Sequence, residues 1–171
     1  MIRHLTPSDY KTMPWANGKG VTVEMLRVDE NGLKWRLSRA SVVENGDFSI
    51  FPGIERSLTV ISGPGFELLG ASLSLSAKPL IPIAFAGDTP LRAANVTAAS
   101  DDFNVMTARH LNRPDVTVHP DGAHLPNGGT LAIFCLGPAT VAGIIAAKYD
   151  LILTDQATDL TGPAIAVRLF D

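Results

Sequence analysis

The chain has 171 residues, a formal net charge of −3, and 46% hydrophobic against 18% charged residues. That composition excludes a disordered chain and supplies a core for one large domain or two small halves. The slightly acidic balance, with no Lys/Arg cluster, excludes the electrostatic footprint of a nucleic-acid binder.

In chain order, Pro7-Ser8-Asp9-Tyr10 predicts one helical turn, which Ser or Asp can cap. ANGKGVT (16–22) holds the turn pair Asn17-Gly18 and predicts a β-turn feeding a strand; it lacks the spacing of a phosphate loop, and no helix follows. VTVEMLRV (21–28) alternates, which puts Thr22 and Glu24 on one face with Leu26 and Val28. After the turn signal Glu30-Asn31-Gly32 comes LKWRLSRASVV (33–43). Arg36, Ser38, Ala40 and Val42 share one of its faces; Trp35, Leu37, Arg39 and Ser41 share the other.

SLTVIS (57–62) and FELLGASLSL (66–75) flank Gly63-Pro64-Gly65, and Leu68 to Ala77 is too rich in Ser and Gly for a helix. IPIAFAG (81–87), LRAANVTAA (91–99) and FNVMTARH (103–110) follow. The rest reads DVTVHP, GTLAIFCLG, ATVAGIIAA, YDLILTD and AIAVRLF. Many short strands with frequent turns predict an all-β sandwich or barrel. Leu58-Thr-Val-Ile-Ser-Gly63-Pro64 is echoed by Leu131-Ala-Ile-Phe-Cys-Leu-Gly137-Pro138, which points to two similar β units; chance recurrence of Gly-Pro turns is the plain alternative. The break falls near Arg113-Pro114, giving expected domains of 1–112 and 113–171.

One cysteine, Cys135, excludes an intramolecular disulfide, and its apolar strand predicts a buried, inert thiol. No apolar leader and no apolar run of membrane-spanning length is visible, so the expectation is a cytoplasmic protein with no membrane partner. The histidines, His4, His110, His119 and His124, form no ligand-spaced pair; HPDGAH (119–124) reads as a solvated loop, and no metal is expected. A barrel lumen tolerates small residues around a few polar groups aimed at a ligand, so Arg36 beside Ser38 and Ala40 can face a cavity, with Arg39 snorkelling at the edge or exposed. Alternation alone leans instead to both arginines making ordinary rim ion pairs with Glu24, Glu44, Asp47 or Glu55.

Three blocks then become recognisable together. They are Trp15-x-Asn17-Gly18-x-Gly20-x-Thr22-x-Glu24, Trp35-Arg36-Leu37-Ser38-x-Ala40-x-Val42, and Gly46-x-Phe48-Ser49-x-Phe51-Pro52-Gly53-x-x-Arg56. With Phe85-x-Gly87-Asp88 and Asp102-Phe103-Asn104-Val105-Met106, they resemble the HutD/Ves family over roughly residues 15–106. The resemblance implies a bicupin, two jelly-roll-like β-barrels or sandwiches of the RmlC type in one chain, with a small-molecule pocket in the N-terminal cupin. It brings no catalytic residue and no cofactor. It associates the chain with histidine utilisation, as a sensor or regulator binding a small anionic metabolite such as formylglutamate, formiminoglutamate or urocanate. Lys19 departs from the family's glycine tract.

On that resemblance, Arg36 and Arg56 are expected to receive a carboxylate, and Asn17, Thr22, Ser38 and Ser49 to fix its orientation. Asn104 offers both donor and acceptor. Glu24 or Asp102 orients an arginine or accepts from an imino nitrogen, and Trp15 and Phe51 form apolar wall. The alternatives are a metal-independent cupin enzyme with Glu24 or Asp102 as its acid–base group, or an interaction protein with a vestigial pocket. Apolar strands such as LAIFCLG would then serve a partner or a homodimer.

Overall fold

The computed structural model describes every residue of the chain except Ala16 and Asn17. The strands are β1 (Ile2–Leu5), β2 (Lys11–Pro14), β3 (Gly20–Asp29), β4 (Leu33–Val42), β5 (Gly46–Asp47), β6 (Ile54–Ser62) and β7 (Phe66–Leu69). Then come β8 (Ser74–Ala77), β9 (Ile83–Ala86), β10 (Arg92–Ala94), β11 (Ser100–Ala108), β12 (Asp115–His119) and β13 (Gly122–Leu125). Last are β14 (Thr130–Cys135), β15 (Ala139–Val141), β16 (Ile144–Ala146), β17 (Leu151–Thr154), β18 (Thr158–Thr161) and β19 (Ala164–Leu169). The only helical element among the described residues is the 3-10 turn Pro7–Asp9, where Thr6 N–H donates to the Asp9 carboxylate at 2.8 Å. No helix there is long and apolar enough to cross a membrane.

The strands form two compact units, Lys11–His110 and Met1–Tyr10 with Leu111–Asp171. The first has a six-stranded sheet, β2-β3-β4-β11-β6-β9, and a four-stranded sheet, β5-β10-β7-β8. The second has a five-stranded sheet, β1-β17-β14-β19-β12, and a four-stranded sheet, β13-β18-β15-β16. Raising the labels β4 to β11 by eight turns β4-β11-β6-β9 into β12-β19-β14-β17, and β5-β10-β7-β8 into β13-β18-β15-β16. Those are the neighbours observed, so the eight-strand, two-sheet jelly-roll pattern occurs twice. The echoed Gly-Pro turns occupy matching places, between β6 and β7 and between β14 and β15.

The first ten residues depart from the expected 1–112 domain. β1 pairs antiparallel with β17, from Ile2 opposite Thr154 to Leu5 opposite Leu151. His4 Nε2 lies 2.7 Å from Asp150 Oδ2, and the chain's amino terminus 2.8 Å from Asp155. A four-residue edge strand has too few positions to reveal a period, which is why IRHL carried no signal. Other runs were expected too long. FELLGASLSL breaks at Gly70, whose N–H donates to Leu73 O at 2.8 Å, and LRAANVTAA is strand only to Ala94, before Asn95 takes φ 56°. HPDGAH is a connection between two strands, with His119 ending β12 and His124 inside β13, where its Nδ1 is 2.6 Å from Asp159 Oδ1.

The two jelly rolls differ in what fills them. In the second unit Leu131, Ile133 and Cys135 on β14 pack in one buried cluster with Ile152, Ala164, Ala166, Val141 and Leu160. Burial pushes the Cys135 thiol up to about 11, and the nearby Asp150 charge adds to it, as suits an unreactive thiol. The first unit has a buried apolar cluster too, with Val42, Leu58, Val60, Phe66, Leu68 and Phe85, and beside it Arg36, Ser38, Arg56, Asp102 and Asn104 on β4, β6 and β11 line a cavity. The second unit also has a cavity, of about 360 Å³, lined by Asp115, Thr117, His119, Leu131, Ala166 and Arg168, but no buried arginine or carboxylate lines it.

Candidate functional site

Register builds the site. β11 lies between β4 and β6, so every second residue of β11 has a partner on each side. Met106 stands between Arg36 and Arg56, Asn104 between Ser38 and Leu58, and Asp102 between Ala40 and Val60. β3 extends two of these rows, with Glu24 opposite Ser38 and Thr22 opposite Ala40. A bulge then changes the phase of β3: Glu24 pairs with Ser38, but Leu26 pairs with Leu37. The expected grouping of Leu26 and Val28 with Thr22 and Glu24 is therefore corrected. One extra residue, Met25, turns Leu26 to the far face and brings Arg27 opposite Arg36.

These rows floor a cavity of about 290 Å³. Thr22, Arg36, Ser38, Arg56, Asp102 and Asn104 line its polar side, with Ser49 and Asp47 beside them. Trp15, Phe48, Phe51, Val42 and Met106 supply the apolar wall. Eight expected site residues are thus brought together: Thr22, Arg36, Ser38, Ser49, Phe51, Arg56, Asp102 and Asn104. Glu24 is not among the lining residues; its carboxylate accepts from Arg36 Nε at 2.6 Å. Asn17 lies outside the described residues. Asp47, Phe48, Val42 and Met106 were not anticipated as lining. Asp47 sits on a two-residue strand, too short to show a face in sequence, whereas Val42 and Met106 lay inside quoted blocks.

The two arginines of KWRLSRASV separate cleanly. Arg36 faces the cavity and also holds the ion pair with Glu24, so both readings of this residue are realised at once. Arg39 is half-buried on the opposite face, opposite Val23 and Phe103, rather than exposed at an edge. Leu37, Phe103 and Val105 on that face are fully buried.

Arg56 is the unusual member. It is 7% exposed, and its guanidinium carbon lies 5.1 to 5.4 Å from the ring centroids of Phe85, Phe51 and Phe48. One terminal nitrogen, Nη2, donates to Asn104 Oδ1 at 2.9 Å, and Asn104 Nδ2 in turn donates to Asp102 Oδ1. Asn104 therefore bridges an arginine to a carboxyl, and both ends of its amide are already engaged. Burial lowers the Arg56 guanidinium to about 10; Asp102 opposes that shift and Arg36 adds to it. Burial lifts the Asp102 carboxyl to about 7, against the Asn104 hydrogen bond and the Arg56 charge, with Asp101 adding to the rise. Of the buried side-chain polar atoms with no hydrogen-bond partner among the described residues, two belong to residues that line this cavity, Arg56 Nε and Asp102 Oδ2.

The Asp102 shift has a consequence for stability. Its folded value is raised, so between about pH 4 and pH 7 the folded state holds a proton that the unfolded state has released. The contribution is present below the unfolded value and is lost as pH rises through about 7. The Asp102→Asn variant is expected to lack this decline, so its melting temperature should gain on the wild type as pH goes from 5 to 8. Thermal unfolding at both pH values checks this; an equal fall in both proteins would contradict it.

The wall is held from outside the cavity. Arg109 binds Asp88 at 2.6 and 2.9 Å and Glu55 at 2.6 Å, and its N–H donates to Gly53 O at 2.9 Å. The Arg109 hydrogen bonds hold Asp88 well below the usual carboxylate range and push the guanidinium above its own. Phe51 N–H donates to Gly87 O, and Gly87 N–H to Ile54 O, at 2.8 and 2.7 Å. A Cβ on Gly87 would sit 2.7 Å from Phe51 O and 2.8 Å from Ile54 O, so only glycine permits this approach. At the other wall, Trp15 Nε1 donates to Thr22 Oγ1 at 2.8 Å, and a Cβ on Gly20 would meet the Trp15 ring at 2.9 Å.

Among the described residues no three His, Cys, Asp or Glu side chains are grouped to hold a metal ion, and no histidine lines the cavity.

A protein from the hutC 3' region of Pseudomonas putida is 39% identical over 113 residues, which are 63% of this chain and 58% of that protein. Protein Ves of Cronobacter sakazakii is 37% identical over 64% of each chain. The chain thus covers less than two thirds of either relative's length. HutD from Pseudomonas fluorescens SBW25, whose structure is recorded for a formate condition, superposes with a TM-score of 0.91 at 28% identity over 99% of this chain and 98% of that one. A cupin 2 conserved barrel domain protein from Leptotrichia buccalis shares the fold, with a TM-score of 0.61 at 9% identity over 94% of this chain and 96% of that one. The HutD family model matches residues 7–166, nearly the whole chain and every strand that shapes the cavity, and the chain belongs to the HutD family.

Proposed function

We propose that the chain is a binding protein for a small carboxylate, working without a metal as a sensor or regulator in histidine utilisation. One observation carries the reading. Arg56 Nε and Asp102 Oδ2 are buried without partners in residues that line one cavity. An unpartnered buried polar atom is costly, and a bound ligand group is one way to satisfy it. The three phenyl rings around Arg56 keep its guanidinium fixed and dry, which favours a charge-assisted bond to a carboxylate over one to water. The cavity of about 290 Å³ is at the small end for ligand sites and suits a metabolite of glutamate or urocanate size. Family membership and the hutC-region relative support the pathway reading.

Calorimetric titration with formylglutamate, formiminoglutamate and urocanate tests the reading. Saturable one-site binding of at least one is expected; none across the panel, in folded protein, would overturn it. An enzyme in the same cavity is less well supported. Glu24 is committed to Arg36 and no histidine lines the cavity, which leaves this reading to Asp102, whose carboxyl burial lifts to about 7.

A further inference from the structure

We infer that carboxylate binding in this cavity draws one proton from solvent, held between Asp102 Oδ2 and an oxygen of the bound carboxylate. The inference rests on the proposed carboxylate site and adds how that site is regulated. The argument begins with a count of charges. On β4, Arg36 is matched by Glu24 of β3 at 2.6 Å. On β6, Arg56 is linked through Asn104 to Asp102 of β11. Asp47 of β5 stands at the exposed rim with a further negative charge, and Asp101 adjoins Asp102 along the strand but is bonded to Ser41 on the other face. No cation of the cavity is therefore left over for an incoming anion while Asp102 is ionised.

A ligand carboxylate reaching Arg56 Nε would then give two carboxylates sharing one guanidinium in a desolvated pocket. Two like charges so placed do not both stay ionised; the pair holds a proton between them and titrates as a unit. Asp102 Oδ2 is the oxygen available for it. Oδ1 already accepts from Asn104, whereas Oδ2 has no partner, and Asp102 is only 1% exposed. The proton comes from buffer or water. An O–H···O bond forms between Asp102 and the ligand, no covalent bond to carbon changes, and Arg56 remains a cation throughout. Burial already lifts the Asp102 carboxyl to about 7, so the uptake falls near neutral pH. Ligand capture would then weaken as the surroundings turn alkaline.

The test uses N-formylglutamate, with formate as a second probe, since neither titrates between pH 6 and pH 8. Binding is measured by calorimetry in pairs of buffers that differ in ionisation enthalpy. Close to one proton taken up per ligand is expected at pH 8 and close to none at pH 6, with affinity about tenfold weaker at pH 8. The Asp102→Asn variant keeps the shape and donates from its amide, so it should bind with no proton uptake and a flat profile. Saturable wild-type binding with no uptake at either pH would overturn this inference and leave the carboxylate site standing. An unaltered pH profile in the variant would also overturn it, by placing the proton elsewhere. No saturable binding of either probe to folded wild type would overturn both readings.

Discussion

The Arg56→Met variant is expected to lose carboxylate binding by about 30-fold or more while remaining folded. Truncating one member of a buried, hydrogen-bonded charge pair costs about 2–5 kcal/mol of binding, and each 1.4 kcal/mol is a factor of ten. Methionine keeps contact with Phe48, Phe51 and Phe85 but removes both the charge and the Nε donor. Losing the cation–ring contacts costs stability, and no longer burying a guanidinium offsets that cost. At pH 6, where Asp102 is largely uncharged, the net change should stay within about 1 kcal/mol. The Arg56→Lys variant is a sharper probe. It retains a charge but neither the planar group that stacks on the rings nor its fixed fork of donors, so it should bind only weakly. Titration and thermal unfolding of the same preparations check both statements. Wild-type affinity in the Arg56→Met variant would remove Arg56 from the site.

The Gly87→Val variant is expected to lose about 1–3 kcal/mol of stability and, with it, most of the binding. The obstacles are backbone oxygens: Phe51 O, which accepts from Ile54 N–H at 3.3 Å, and Ile54 O, which accepts from Gly87 N–H at 2.7 Å. They cannot swing aside as the end of a flexible side chain would. Any relief must move Phe51, whose ring forms the cavity wall and lies 5.3 Å from the Arg56 guanidinium. Chemical denaturation gives the first number and titration the second. Full stability together with full affinity would show that the turn is slack and that the clamp made by Asp88 and Arg109 does not position Phe51.

Much of this architecture was legible in the sequence because short alternating runs and Gly-Pro turns leave local marks. The echo between Leu58–Pro64 and Leu131–Pro138 was the trace of a duplicated strand order. What stayed hidden was set by pairing rather than by local pattern. Nothing in IRHL indicates that it pairs with residues 151–154. Nothing in VTVEMLRV marks Met25 as an extra residue, so the alternation there gave the wrong partners for Leu26 and Val28.

The site was legible to a similar depth. Alternation put Arg36, Ser38 and Ala40 on one face, and the quoted blocks added Arg56, Asp102 and Asn104. Sequence could not show that Glu24 is committed to Arg36, or that Asn104 joins Arg56 to Asp102 instead of waiting for a ligand with both ends free. The first depends on the register of the β3–β4 hairpin, and the second on β6 and β11, far apart in the chain, lying side by side in the sheet.

The most direct test of the account is a crystal structure of the protein with N-formylglutamate at pH 6. A ligand carboxylate within hydrogen-bond distance of both Arg56 Nε and Asp102 Oδ2, with Asn104 still bridging the two residues, is the predicted result. A ligand held only at the rim by Asp47 or Ser49, or seated outside this cavity while Arg56 Nε and Asp102 Oδ2 stay unpartnered, would contradict it.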